Sequence, residues 1–392
     1  MNSVVFIKYS PLTKKVYDDY CFESLLNNGY CVEYWDVTSL FKIKLPNFEE
    51  YSSGAEIVIR RFDSYKQLEK IAYLNNDALF ISLMTCRLNQ FRLLRVFSRI
   101  NAKFAFWGPS PIYTINNNVK DRIKRITLHK CLFFVKNEIM HLLIRMHLVK
   151  YYDYYFSVGK YGYMSLGIYD KVLLGRSKAL PVNSFDFEDF YFNCGVDFVT
   201  PPKYIVFIDQ YFPFHPDYII SGNNKSMPAD LYYQLLNNAF SLIEERFNIR
   251  IVIAAHPKAV LYKNNNYFNG REVYFGKTNE LIKKCEFVLA HSSTAIYYAI
   301  MSAKPVVLMS TKLFDGVYSD HSTIIKSLSS LFRFKVIKLE EFDIHDISES
   351  DIYQNKDLGS RYDLFIREYC TDLNDLKSNK ELINSYLETI FG

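Results

Sequence analysis

Between Arg250 and Met309 the chain passes through three short apolar stretches, and each ends abruptly. Ile251-Val252-Ile253-Ala254-Ala255 stops at His256-Pro257. Phe287-Val288-Leu289-Ala290 stops at His291-Ser292-Ser293-Thr294, a helix-like segment runs from Ala295 to Ser302, and Lys304-Pro305 leads into Val306-Val307-Leu308-Met309. Apolar runs this short, alternating with helical segments, predict a parallel sheet covered by helices on both faces. Ligands of such sheets bind beyond the carboxyl ends of the strands. His256 and Ser292-Ser293-Thr294 fall at two such ends, so they are expected to face one crevice.

The residue types at those ends suit a phosphate. Ser292, Ser293 or Thr294 can cap the following helix. A helix start offers unpaired N–H groups and partial positive charge. His256 can hand over a proton near neutral pH, and Pro257 fixes the backbone just after the strand. A histidine beside bound phosphate would assist a phosphate leaving group. The plainer alternative is a satisfied histidine at a strand end and a serine cap.

A His-Pro ending one strand, a Ser-Ser-Thr opening a helix and a Lys-Pro-Val-Val strand resemble the donor half of bacterial sialyltransferases and related capsule glycosyltransferases. CDP-glycerol glycerophosphotransferases of teichoic acid synthesis carry a similar His-Pro and Ser-Ser pair. The resemblance covers about the C-terminal half. It implies an α/β fold of GT-B type: two Rossmann-like domains facing a central cleft, with C-terminal helices crossing back. It implies that His256, Ser292 and Ser293 contact the donor phosphate. The donor would be a nucleotide-activated sugar, foremost a CMP-linked acidic sugar of sialic or ulosonic type. The acceptor would be a glycan or glycolipid of a surface polysaccharide. The acidic pair followed by Gly that supplies the base in those sialyltransferases has no counterpart in this sequence.

At 392 residues the chain can hold two domains with sizeable cores. Its seven cysteines (21, 31, 86, 131, 194, 285 and 370) are scattered, with neither a CxxC nor a Cys/His cluster. That predicts neither a disulfide framework nor structural zinc, and a reducing cytoplasm as compartment. The stretch MNSVVFIKYSPL reads as a first strand rather than a signal peptide. No apolar run approaches the roughly 20 residues of a membrane span. A GxGxxG and a Walker GxxxxGK[ST] are both lacking, which argues against a dinucleotide oxidoreductase and a P-loop kinase. No Asp-x-Asp stands at a strand end, and no metal or cofactor is expected.

The N-terminal half repeats the alternation. Strands are expected at Val4–Ile7, Tyr30–Trp35, Ala55–Arg60, Ala78–Leu83, Ala102–Trp107, Tyr151–Val158 and Tyr169–Leu174, and a helix at Lys15–Asn28. Thr200-Pro201-Pro202 is the expected boundary. It gives an acceptor domain over 1–199, a nucleotide-sugar domain over 200–350, and helices packing across both over 351–392. Residues 116–150 are the one charge anomaly: eight basic and two acidic side chains, net +6 against +5 for the chain, interleaved with large apolar residues. Such a segment suits an anionic membrane surface, which would place the protein peripherally on the inner face of the cytoplasmic membrane. A solvated helix face and an acidic-acceptor groove are the alternatives; no nucleic-acid motif accompanies the patch.

Tyr204–Ile208 is expected as the first strand of the second domain, ending in Asp209-Gln210. Asp209 is the first candidate for the base or for a donor-orienting group, and a turn-former is its plain alternative. Gln210, Pro257, Lys258 and His291, which flank these groups at the strand ends, complete the expected donor-binding set. A second His-Pro, His215-Pro216, lies in a loop, and Asp320-His321 lies in another that would touch the donor. On the acceptor side stand Asp63 and Asp186, the latter in an acidic cluster that also suits a helix cap.

Overall fold

The computed structural model describes the chain except residues 1, 42–49, 53–56, 109, 112, 114–127, 194–198, 216–226, 316–317 and 354–357. It divides into two compact units. The first takes Met1–Pro111, Asn116–Ser184 and Thr371–Gly392; the second takes Ile112–Ile115 and Phe185–Cys370. The division thus falls at Ser184, ahead of the proline punctuation, because the Phe185–Phe192 helix belongs with the second unit. Asp189 of that helix accepts from the Asn279 amide (3.2 Å) and the Tyr298 hydroxyl (3.0 Å).

The first unit is built on seven parallel strands: β1 (Ser3–Lys8), β2 (Cys31–Asp36), β3 (Val58–Arg61), β4 (Leu79–Ser82), β5 (Lys103–Trp107), β6 (Tyr154–Val158) and β7 (Lys178–Val182). Their order is β3-β2-β1-β4-β5-β6-β7. Val4–Ile7 are wholly buried, as a strand covered on both faces must be. One face packs Trp35, Phe80, Phe97 and Phe104 into a continuous core. The final helix, Asn379–Phe391, opens with a Ser378/Glu381 capping box and lies against this unit, where the Tyr386 hydroxyl donates to the Pro181 carbonyl (2.7 Å).

Two expectations fail here, for local reasons. The Lys15–Asn28 helix is two helices, Lys14–Asp19 and Phe22–Asn27, because Cys21 sits at φ 58°, a left-handed conformation that interrupts a right-handed helix. Tyr169–Leu174 lies in a helix, Ile168–Leu173, rather than a strand. The Asp170 carboxylate there accepts the Cys86 N–H (2.7 Å), a contact across 84 positions that the local sequence does not announce. The last strand is instead β7, which contains Pro181; an edge strand tolerates a residue with no N–H.

The second unit has six parallel strands: β8 (Tyr204–Ile208), β9 (Arg250–Ala255), β10 (Val273–Phe275), β11 (Val288–Ala290), β12 (Val306–Ser310) and β13 (Lys335–Lys338). Their order is β10-β9-β8-β11-β12-β13. The long Ala229–Phe247 helix crosses from β8 to β9 and buries Tyr232, Leu236, Phe240 and Ile243. β8, β9 and β11 are buried along nearly their whole length. Among the described residues no helix is long and apolar enough to cross a membrane.

Candidate functional site

The strand order decides which side chains meet. β8 lies between β9 and β11, so the histidine strand and the serine strand are not neighbours. Ala254 pairs with Ile208, and Ile208 with Ala290. Two residues further along, His256, Gln210 and Ser292 therefore stand in one row across three strand ends. Adjacent strands lie about 4.8 Å apart, which puts the outer two about 10 Å apart at the backbone.

Gln210 is tied to the serine end of this row. Its Oε1 accepts the Ser292 backbone N–H (2.8 Å) and lies 3.3 Å from the Ser292 hydroxyl. A backbone N–H only donates, so the carboxamide oxygen must face Ser292 and the NH2 group must face away. That NH2 has no hydrogen-bond partner among the described residues, and Gln210 is partly exposed. Ser292 is 4% exposed. Its Oγ lies 2.6 Å from His321 Nδ1. Burial pushes the His321 ring down to about 4, helped by the nearby charge of His215, so it is neutral at pH 7. In either tautomer the Ser292 hydroxyl proton is engaged within the protein. Ser292 thus orients Gln210, and the donor presented outward is the glutamine amide.

His256 is partly exposed. Its Nδ1 accepts the Lys258 N–H (3.1 Å), which places the ring proton on Nε2 while the imidazole is neutral. The His215 ring lies beside it, with centroids 4.7 Å apart in an edge-on contact. The histidine of the second His-Pro is thus brought to that of the first. Pro257 is exposed, and Lys258 is partly so.

Asp209 is 2% exposed, and both carboxylate oxygens are sealed from solvent without a well-formed hydrogen bond. Burial raises its carboxyl to about 6 from an ordinary 3.8. The backbone N–H groups of Tyr211 and His256 and the Tyr262 hydroxyl lie around it and temper the rise. A base must reach a bound acceptor, and this carboxylate is sealed from solvent.

His291 does not face a donor either. It is wholly buried. Its Nδ1 donates to the Met309 carbonyl (2.6 Å), so its Nε2 accepts from the Tyr232 hydroxyl (3.1 Å). Desolvation lowers its pKa to about 4. With both nitrogens engaged in the core it offers nothing to a donor and serves as a neutral bridge between β11, β12 and the Ala229–Phe247 helix. The expected serine cap does not form either. The Ile296–Met301 helix has Ala295 at its cap, with no side-chain cap bond. Ser293 makes only a local turn, accepting the Ala295 N–H (3.2 Å). Six helical residues give a weak dipole, so the hydroxyls matter more than the helix end. Ser293 and Thr294 are partly exposed and border a narrow recess lined also by Tyr113, Tyr297, Ile324 and Leu328.

Asp186 lies in the first turn of the Phe185–Phe192 helix. Asp63 follows β3 in the first unit and is exposed, its N–H donating to Gln67 (3.0 Å). His321 begins a helix, Ser319–Phe332, rather than lying in a loop. Among the described residues no group of three His, Cys, Asp or Glu is placed to hold a metal ion.

No protein-family model matches the chain, and no curated protein matches it in sequence. Solved structures match it in fold. The wall teichoic acid polymerase TagF matches with a TM-score of 0.53 at 12% identity, over 100% of this chain and 89% of that one. The glycosyltransferase SnogD from Streptomyces nogalater gives 0.52 at 10% identity, over 100% and 99%. The spinosyn forosaminyltransferase SpnP gives 0.51 at 13% identity, over 100% and 99%.

Proposed function

We propose that this chain, which has the two-domain α/β fold of GT-B type, is a glycosyltransferase that takes a nucleotide-activated sugar and passes the sugar to a glycan or glycolipid acceptor of a surface polysaccharide. The observation that carries this reading is the row His256, Gln210, Ser292 at adjacent strand ends, with the Gln210 amide held outward by Ser292 and His321. His256 Nε2–H and the Gln210 NH2 would bind donor phosphate oxygens, with the Ser293 and Thr294 hydroxyls beside them. Hydrogen bonds to a charged oxygen are the strong ones. They stabilise a departing phosphate without a divalent cation.

The finer reading, carried by the motif resemblance, is a CMP-linked sialic or ulosonic donor. The test is binding and turnover across donors built on CMP, CDP, UDP and TDP. One nucleotide class is expected to raise the melting temperature and to support transfer, with turnover unchanged by EDTA. Gln210→Met is expected to weaken nucleotide binding by about 10- to 100-fold, the loss of one hydrogen bond to a charged group. A protein that no nucleotide stabilises would be a non-catalytic sugar-binding or capsule-assembly protein. The fold likeness to a wall teichoic acid polymerase, with the His-Pro and Ser-Ser pair, favours a second reading: a glycerol- or ribitol-phosphate transferase using a CDP-alcohol. Transfer from CDP-glycerol, without transfer from any sugar nucleotide, would select it. Peripheral attachment to the inner face of the cytoplasmic membrane, through residues 116–150, is the remaining part of the proposal.

A further inference from the structure

We infer that the first unit carries an anion site of its own, at the amino ends of β5, β6 and β7, which takes the phosphate of a lipid headgroup. The site deepens the proposed membrane attachment and is independent of the glycosyl-transfer reading. An open groove of about 630 Å³ lies there, bordered by His147, Lys150, Tyr151, Tyr154, Arg176 and Lys178. Its floor is held by hydrogen bonds. The Lys150 N–H donates to Ser98 Oγ (2.7 Å) and the Lys178 N–H to the Asp153 carbonyl (2.8 Å). Asp153 is the one acidic residue lining the groove. Its Oδ2 accepts the Phe104 N–H (2.8 Å) and the Lys150 ammonium (2.8 Å), so it is already matched. Lys150 also donates to the Ala102 carbonyl (2.7 Å).

Arg176 and Lys178 are left uncompensated. Both are exposed, and neither forms an ion pair among the described residues. The Arg176 guanidinium stands 4.7 Å over the Tyr151 ring, which holds its fork in place without using its donors. A preorganised guanidinium beside a lysine is a phosphate-binding arrangement.

The source of that phosphate follows from what adjoins the groove. The Leu128–Arg145 helix ends two residues before His147. It buries Met140 and Ile144 on one face. Val135, Ile139 and Leu142, with Met146 just beyond the helix, are 54%, 44%, 56% and 58% exposed. Their spacing sets them on one face. The basic residues at 120, 122, 124 and 125 lie outside the described residues, but the segment 116–150 carries net +6 by sequence, eight basic against two acidic. An exposed apolar stripe running toward a cationic groove fits a lipid interface. The stripe enters the acyl boundary, and the groove receives a headgroup phosphate at the level of the surface.

The experiment is sedimentation of the full chain with phosphatidylcholine vesicles and with vesicles containing about one-third phosphatidylglycerol. The variants are Arg176→Gln with Lys178→Gln, and Leu142→Gln with Met146→Gln. All four positions are exposed, and circular dichroism checks the fold. The wild type is expected to prefer the anionic vesicles. The groove variant should bind them about 30-fold more weakly, about fivefold for each cation, and should lose the preference over phosphatidylcholine. The stripe variant should bind both vesicle types more weakly. Wild-type binding to anionic vesicles by the groove variant would overturn the site. Inorganic pyrophosphate serves as the soluble probe. If it stabilises the wild type but not the groove variant, while neither vesicle binds, the anion site stands and the lipid source is overturned.

Discussion

Replacing His256 by alanine is expected to lower turnover by about 10²- to 10³-fold, the loss of one preorganised donor to developing charge. The expectation follows from the ring's hydrogen bonds. With Nδ1 accepting the Lys258 N–H, the neutral imidazole presents a proton only on Nε2. Protonating Nδ1 would break that bond. Under the proposed function, His256 would therefore act as a hydrogen-bond donor to the leaving phosphate rather than as a carrier that must cycle between charged and neutral forms. An interaction that strengthens as charge develops lowers kcat more than it raises KM. His256→Gln supplies an N–H donor without a titratable ring. It should recover part of the loss if donation is the role, and none if proton transfer is. The ring is partly exposed at a strand end, so unfolding should change by only about 1 kcal/mol. Near-wild-type turnover in the alanine variant would remove His256 from the reaction.

The strands that form the site were readable because they are buried on both faces. Ile251–Ala255 and Val288–Ala290 are apolar without alternation, which marks a covered parallel sheet. Edge elements were less so. β10 has only three residues, and β7 carries a proline, so neither shows the pattern of a central strand. His256 and Ser292 could be found as polar punctuation after apolar runs. Their relation could not, because it depends on β8 lying between β9 and β11. Strand order comes from the packing of the whole sheet, and no local residue encodes it. For the same reason Gln210 reads in sequence only as a flanking residue, although its side chain accepts from Ser292. His215 and His321 were visible as a second His-Pro and an Asp-His pair. The His321 ring reaches Ser292 from its packing on Phe212, whose ring also meets those of His291, Phe314 and Tyr318, and the His215 ring packs directly on that of His256. A histidine at a strand end looks the same in sequence whether it faces solvent or, as His291 does, the core.

The substitution Asp209→Asn is expected to make the protein more stable at pH 7.5 and no more stable at pH 4. The Asp209 carboxyl is held at about 6 in the folded chain by burial, against 3.8 when exposed. Each pKa unit corresponds to about 1.4 kcal/mol, so the folded state carries a cost of about 3 kcal/mol once the group is ionised. The folded state binds the proton more tightly than the unfolded one between those two values. The favourable contribution of the protonated carboxyl is therefore complete below about 3.8 and lost as the pH rises through about 6. The variant's carboxamide would have no charge to bury at any pH. It would still need hydrogen-bond partners, and an unmatched amide costs about 1 kcal/mol or more. The net gain at pH 7.5 is then about 2 kcal/mol, and the variant's advantage changes by about 2.5 kcal/mol between pH 4 and 7.5, because about 0.5 kcal/mol of the cost is already present at pH 4. Urea unfolding of both proteins at the two pH values measures that difference. A difference near zero would mean that the carboxylate is solvated or paired in solution. Turnover gives the second readout. A carboxyl sealed beneath the His256 turn cannot take a proton from an acceptor, so Asp209→Asn should stay within about tenfold of the wild type. A general base contributes about 10²- to 10⁴-fold, and a loss of that size in the asparagine variant would show that the working protein opens to expose Asp209.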